Sequence, residues 1–227
     1  MAKVFLGVGH GGKDPGAVAN GLKEKDLNLA IATACSEELI RHGVTVLMSR
    51  TNDASDTLDD RVKECNAFGA DLAIDVHNNA GGGDGAEAFY HYKGGKSKTL
   101  ADNVLSEIVK TGQNSRGAKT KVSSDGKDYY GFIRGTVAPA IIVECAFVDN
   151  AADIKIIDTA GEQKTMGIAI AKGILKTLGI AYKEPVVAKK TYTVQIGSFD
   201  NKAAADSALK SITDAVKTLS SAKVTEA

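Results

Sequence analysis

The chain has no tryptophan and only 5% aromatic residues among its 227, so no stacking platform for sugars or bases is evident. Its 28 Lys+Arg are balanced by 28 Asp+Glu. It therefore lacks the basic excess of a general nucleic-acid binder, and no nucleic-acid partner is expected. Cysteine is scarce: Cys35, Cys65 and Cys145 are scattered, without CxxC spacing and odd in number, which excludes a disulfide framework. They read as small buried apolar residues made or kept under reducing conditions. No apolar run reaches the ~18 residues of a membrane span, so no membrane insertion is expected. No basic stretch followed by a long apolar run opens the chain, so a secretory signal peptide is not expected either. A product made in the cytoplasm in this way needs another agent to deliver it to any target outside. Internal repeats and low-complexity tracts are also missing.

What is present is a 43% hydrophobic content in a length suited to one good-sized domain with a small addition. Strand-like runs at Val4–Val8, Val44–Met48, Leu72–Val76, Ala86–Tyr92 and Ala140–Phe147 alternate with helical patterns. Leu27, Ile31, Cys35 and Leu39 recur every four residues over 26–42, and His42-Gly43 ends that helix. Leu58, Val62 and Cys65 mark a second helix, Leu100, Val104, Leu105 and Ile108 a third, and residues 161–178 a fourth. This alternation predicts an α/β domain with a mostly parallel sheet. The domain is expected over 1–180. Residues 181–191, aperiodic and holding Pro185, read as a linker. Beyond it, Tyr192–Ile196 alternates like a strand and a helix is expected from about residue 201.

Gly7-Val8-Gly9-His10-Gly11-Gly12 fits the glycine pattern of a dinucleotide-binding turn, and Arg50 stands where such a domain could hold a phosphate. That reading needs a helix starting at the glycines. Lys13-Asp14-Pro15-Gly16 follows instead, and helical period begins only near Asp26. The glycines thus read as a close-approach loop around His10. His10 and His77 each end a predicted strand, and ligands of open α/β sheets gather at that edge; His42 and His91 read as surface or hydrogen-bonded core residues. Glu24 lies in the polar loop 21–26, where it is either a solvated charge or a first-turn helix carboxylate. Glu144 interrupts the apolar run 140–147 and would be expensive to bury without a cation, a metal or a cleft beside it. Two imidazoles and a carboxylate make a hydrolytic zinc set with one position for water, and a further carboxylate supplies a general base. Arg50 and Arg61 read as partners of ion pairs, with Asp53 or Asp71.

These residues carry a resemblance. Gly9–Ala17, Gly21–Leu29, Ser49-Arg50-Thr51, Ala70–Ala80, Gly85-Ala86-Glu87, Asn114–Ala118 and Pro139–Asn150 keep the order and spacing of the zinc-dependent N-acetylmuramoyl-L-alanine amidases of the Amidase_3 type, over roughly residues 2–179. The resemblance implies a twisted six-stranded sheet with helices on both faces. It also implies Zn2+ held by His10, Glu24 and His77, with Glu144 catalytic. The bond cut would join N-acetylmuramic acid to the L-alanine of the peptidoglycan stem. Asn78 stands where a small residue is common, and Cys145-Ala146-Phe147 where a Gly-Phe pair is usual. The segment between His77 and Glu144 is too short for the long insertion of family members held off by a regulatory helix, so an open site is expected. A phage endolysin or a sporulation autolysin, acting on the wall after release, fits this reading.

Tyr192–Phe199 and Asn201–Asp206 resemble the start of a SPOR domain, a binder of peptide-free glycan strands, over 192–227. One strand and one helix leave a sheet face uncovered. The segment therefore packs on the amidase part, self-associates with another copy of the chain, or is a remnant. Two other functional classes meet the same motifs: a wall-binding module with a dead metal site, and a zinc peptidase cutting a related amide. A nicotinamide-dependent oxidoreductase is the reading outside the resemblance.

Overall fold

A computed structural model describes residues 1–185 and 198–218, and the chain divides into two compact units, Met1–Glu184 and Pro185–Ala227. The first holds β1 (Lys3–Val8), β2 (Val18–Ala19), β3 (Leu22–Lys23), α1 (Glu24–Arg41), β4 (Thr45–Met48), α2 (Leu58–Phe68), β5 (Leu72–Asn79) and β6 (Ala86–Tyr90). It continues with α3 (Lys96–Ile108), β7 (Ser115–Lys119), α4 (Gly131–Gly135), β8 (Ala140–Phe147), α5 (Ala151–Ile154) and α6 (Ala160–Leu178). In the second unit α7 spans Lys202–Thr218, where a helix is expected from the sequence. The strand expected at Tyr192–Ile196 lies outside the described residues. At the other end of the expected linker, Tyr182 stacks on His42 at 4.9 Å between ring centroids, and the Lys183 amide donates to His42 Nε2. Residues 182 and 183 are thus tied to the end of α1.

Six strands form one sheet in the order β4-β1-β5-β8-β6-β7. All neighbours are parallel except β6 and β8, which run antiparallel. The larger core lies under α1, α3 and α6, where Leu6, Ile31, Ile74, Val104, Ile141 and Ile170 are fully buried. The smaller one lies on the opposite face under α2 and α4, where Phe5, Cys65, Ala73, Phe132 and Ile142 meet. Strand alternation divides the residues: Ile74 and Val76 turn to the first core, Ala73, Asp75 and His77 to the second face. The three cysteines are free and buried, as their scarcity implies.

Helix boundaries follow local chemistry. Thr57 caps α2 by accepting from the Asp60 amide, and Gly69 closes it in the left-handed conformation. Thr159 and Glu162 form a reciprocal capping box at α6. The five strands expected from apolar runs within residues 1–180 are all present, with ends displaced by a few residues. The sixth, β7, reads Ser115-Arg116-Gly117-Ala118-Lys119 and has almost no apolar signal. Its strand state comes from pairing with β6 at the sheet edge.

Candidate metal centre

Three elements converge where β1 and β5 end side by side. His10 follows β1 with φ +62°, a left-handed conformation that costs a non-glycine residue and turns its imidazole over the sheet face. His77 stands in β5 itself, opposite Glu144 of β8 in the parallel ladder, so both side chains rise from the same face. Glu24 is not a loop residue. Asn20-Gly21, both at positive φ, form the two-residue turn joining β2 to β3, a pairing that Asn-Gly favours. The hairpin delivers the chain into α1 with Glu24 as its first residue.

The Glu24 carboxylate spans the two imidazoles, with Oε2 3.1 Å from His10 Nε2 and Oε1 3.0 Å from His77 Nδ1. It also accepts from the amides of Ala17 and Asn78. Burial would push its carboxyl up, but the hydrogen bonds from both imidazoles outweigh that and hold it well below the usual range. One donor atom from each of His10, Glu24 and His77 lies within 4.8 Å of the others. Two glycines make this approach possible. A Cβ on Gly9 would fall 2.3–2.6 Å from the His77 ring, and one on Gly16 2.5 Å from Glu24 Oε2.

Each imidazole is held from behind. Asp14 Oδ2 lies 2.8 Å from His10 Nδ1, leaving Nε2 for the centre. Asp75 Oδ2 lies 3.3 Å from His77 Nε2, leaving Nδ1. Asp75 is nearly inaccessible and accepts two bonds from Arg61 Nη1, at 2.8 and 3.0 Å. Burial works to raise the Asp75 carboxyl, but His77 and Arg61 prevail and keep it ionised. This carboxylate–imidazole arrangement fixes the tautomer and orientation that a metal-ligating histidine needs. The donor set, its geometry and its backing therefore fit a zinc ion with an open position.

Glu144 and Glu87 face each other across the antiparallel β6–β8 pair, and their surroundings drive them apart. Glu144 Oε2 is buried with no hydrogen-bond partner among the described residues. Burial pushes its carboxyl up to about 7; His77 opposes this, and Glu24, Glu87 and Asp75 add to it. Glu87 has every oxygen supplied: Asn79 donates to Oε1, and Arg116 and Lys119 donate to Oε2. Burial again works upwards, but the two cations hold Glu87 below the usual range. A carboxylate kept near neutrality and unpartnered suits proton transfer, and one locked by two cations does not.

The sequence reading missed Asp14, Asp75 and the hairpin at Asn20-Gly21; the Asn-Gly pair was the visible signal for the last. Its partners for the arginines were also wrong. Arg61 meets Asp75 and Asp56. Arg50 donates to the carbonyls of Val8, Gly9, Lys25 and Asn52. Asp53 pairs with Lys25, and Asp71 accepts from the Lys3 amide. No helix begins at the Gly7–Gly12 loop, which removes the dinucleotide reading. Asn78 turns away from the centre and donates to Asn28 Oδ1 in the interior. Cys145 and Ala146 lie in a bulge just after Glu144, where the register shifts so that Asn79 pairs with Phe147.

The family model for N-acetylmuramoyl-L-alanine amidases matches residues 4–176. The chain belongs to this family. A SPOR domain model matches residues 175–227, a longer stretch than the 192–227 expected. The sporulation-specific N-acetylmuramoyl-L-alanine amidase of Bacillus subtilis (strain 168) is 35% identical over 211 residues, covering 91% of this chain and 79% of that protein. The endolysin of Bacillus phage SPP1 is 35% identical over 189 residues, covering 79% and 67%. The catalytic domain of CwlV, an N-acetylmuramoyl-L-alanine amidase from Bacillus (Paenibacillus) polymyxa var. colistinus, superposes with a TM-score of 0.72 at 28% identity, over 80% of this chain and all of that one. The amidase fold and its mostly parallel six-stranded sheet are thus those expected from the sequence.

Proposed function

We propose that residues 1–180 form a zinc-dependent N-acetylmuramoyl-L-alanine amidase that holds zinc through His10 Nε2, Glu24 and His77 Nδ1, with Glu144 as the general base. The observation that carries the reading is the unpartnered, buried Glu144 Oε2 on the same sheet face as His77. Bound zinc would polarise the amide carbonyl and make water nucleophilic at neutral pH. Glu144 Oε2 takes the proton from the attacking water and returns it to the departing alanine nitrogen. Asp14 and Asp75 keep the imidazoles turned so that their free nitrogens meet at one point. The segment between His77 and Glu144 forms β6, α3, β7 and α4, and activity without an added activator is the expected consequence.

Peptidoglycan is the substrate of this reading. The tail is a glycan-directed segment, which the SPOR match over residues 175–227 supports, and two copies of the chain would associate through it. No helix among the described residues is long and apolar enough to cross a membrane. Release by a holin or by cell lysis would bring the enzyme to the wall. The test is clearing of purified cell walls by the protein as isolated, with chelator, and with chelator followed by zinc. Free lactyl ends on muramic acid together with new N-terminal alanine, lost with chelator and restored by zinc, are expected. Peptide-bond products instead would mean a zinc peptidase, and no clearing by folded, zinc-loaded protein would leave a binding module.

A further inference from the structure

Beyond Glu144 the sheet face that carries it continues in a row across the strands. His77, Glu144 and Glu87 are direct partners on adjacent strands, so their side chains stand in line, about 4.8 Å apart from strand to strand. The row ends at β7, whose Arg116 Nε and Lys119 Nζ both reach Glu87 Oε2. Asn79 occupies the other oxygen of that carboxylate, so Glu87 has nothing left for a ligand. The cations do. One buried carboxylate faces two positive groups, leaving a net positive charge. Arg116 uses only Nε; its two Nη groups donate no hydrogen bond among the described residues. Its guanidinium lies over the Phe147 ring, 5.0 Å from the centroid, which fixes its plane. Both cationic side chains are more than a third exposed, whereas Glu87 beneath them is almost fully buried.

The direction of the substrate follows from the proton. Glu144 must reach the departing nitrogen, so the amine side of the scissile bond, which is the peptide, lies against Glu144, with the acyl side towards the triad. A peptide leaving past Glu144 runs towards Glu87 and then β7. A carboxylate on its second residue stands roughly 7 Å from the scissile nitrogen in an extended chain, between one and two strand spacings along this row.

We propose that Arg116 and Lys119, braced by Glu87, form a carboxylate-binding site at the β7 end of this row that selects stem peptides with a free α-carboxylate on the second residue. Arg116 offers two Nη donors to that group and Lys119 its remaining ammonium hydrogens. Glu87 is a positioning residue: it holds the two cations together and touches no substrate. The inference rests on the amidase reading above.

The test compares kcat/KM of the zinc-loaded, full-length protein on N-acetylmuramoyl-L-alanyl-γ-D-glutamyl-L-lysine and on its D-isoglutaminyl counterpart; in both the γ-carboxyl is held in the peptide bond, and in the second the α-carboxylate is an amide. The ratio of the two values is independent of the fraction of active enzyme, so partial misfolding of a variant does not enter it. The wild type is expected to prefer the free acid by roughly tenfold, the scale of one charge-assisted hydrogen-bonded contact. Arg116→Gln and Lys119→Gln should each reduce that ratio towards one, and Arg116→Lys should retain part of it. Equal cleavage of both substrates by the wild type, or an unchanged ratio in both Gln variants, would overturn the carboxylate site and leave the amidase standing. Release of the alanyl peptide from neither substrate, with walls also intact, would instead bring down the amidase reading.

Discussion

Removing the charge of Glu144 should make the metal-free protein more stable against alkali while it abolishes turnover. Glu144 is buried and its Oε2 is unpartnered, so ionisation is opposed in the folded state and unopposed in the unfolded one. A carboxyl moved from 4.5 to about 7 costs roughly 3 kcal/mol once fully ionised, at about 1.4 kcal/mol per pH unit. The sign is that of a raised acid. Between these two values the folded chain keeps a proton that the unfolded chain has released, so stability falls as pH rises from about 4.5 through about 7 and is level above that. Glu144→Gln removes this slope. The assay is urea unfolding of both proteins in chelator at about pH 5 and about pH 8, with the wild-type loss compared against the variant's. Subtracting one from the other cancels the titrating groups that Glu144 does not touch and leaves its own contribution with that of its charged neighbours. Part of the cost is already present at about pH 5, so the wild type should lose about 2.5 kcal/mol more than the variant, equivalent to a Tm difference of about 5–10 °C in a domain of this size. Zinc should flatten the wild-type slope, because a nearby cation favours the ionised carboxylate. The variant should still bind zinc and lose about 10²–10⁴-fold in turnover. Parallel pH profiles for the two metal-free proteins would refute the burial argument, and wild-type turnover in the variant would refute the base.

Asp75→Asn should cost about 2 kcal/mol, because Arg61 loses the charged acceptor of its two Nη1 bonds and keeps only Asp56, and should weaken zinc binding roughly 10–100-fold by freeing His77; chemical unfolding and chelator competition measure these. Gly9→Ala should reduce zinc content in the purified protein, since the added methyl falls within 2.6 Å of the His77 ring and must displace it; full zinc occupancy would show that the ring can move without loss. Zinc affinity should weaken on acidification. Hydrogen bonding to Glu24 raises the proton affinity of His10, and carboxylates outweigh burial at His77, so protons compete with metal from above the ordinary imidazole range downwards. Titration with a competing chelator between about pH 5.5 and 8 checks this.

How much was legible depended on the range of the interaction that set each feature. Apolar period in α1, α2, α3 and α6 and the apolar runs of β1, β5 and β8 are local, and they gave the α/β alternation directly. β7 could not be found that way, because Ser115–Lys119 is a strand only through hydrogen bonds to β6. Local pattern leaves Glu24 open between a loop charge and a first-turn carboxylate, because its first-turn position depends on a hairpin ending one residue before it. Neither Asp53 nor Asp71 pairs with the arginines, because Arg61 reaches Asp75 across the sheet face, 14 residues on, and Arg50 is turned onto backbone carbonyls.

The sequence by itself determined the layer architecture and, through motif order, the family, and it singled out His10, Glu24, His77 and Glu144 as the site proposed above. Periodicity and residue type are properties of the chain and survive without coordinates. Only the tertiary structure decided which nitrogen each imidazole turns inward, which carboxylates hold them there, and which of two facing glutamates is free to move a proton. Those choices depend on burial and on partners from distant strands: Glu144 and Glu87 are chemically identical, and only the cations of an edge strand distinguish them.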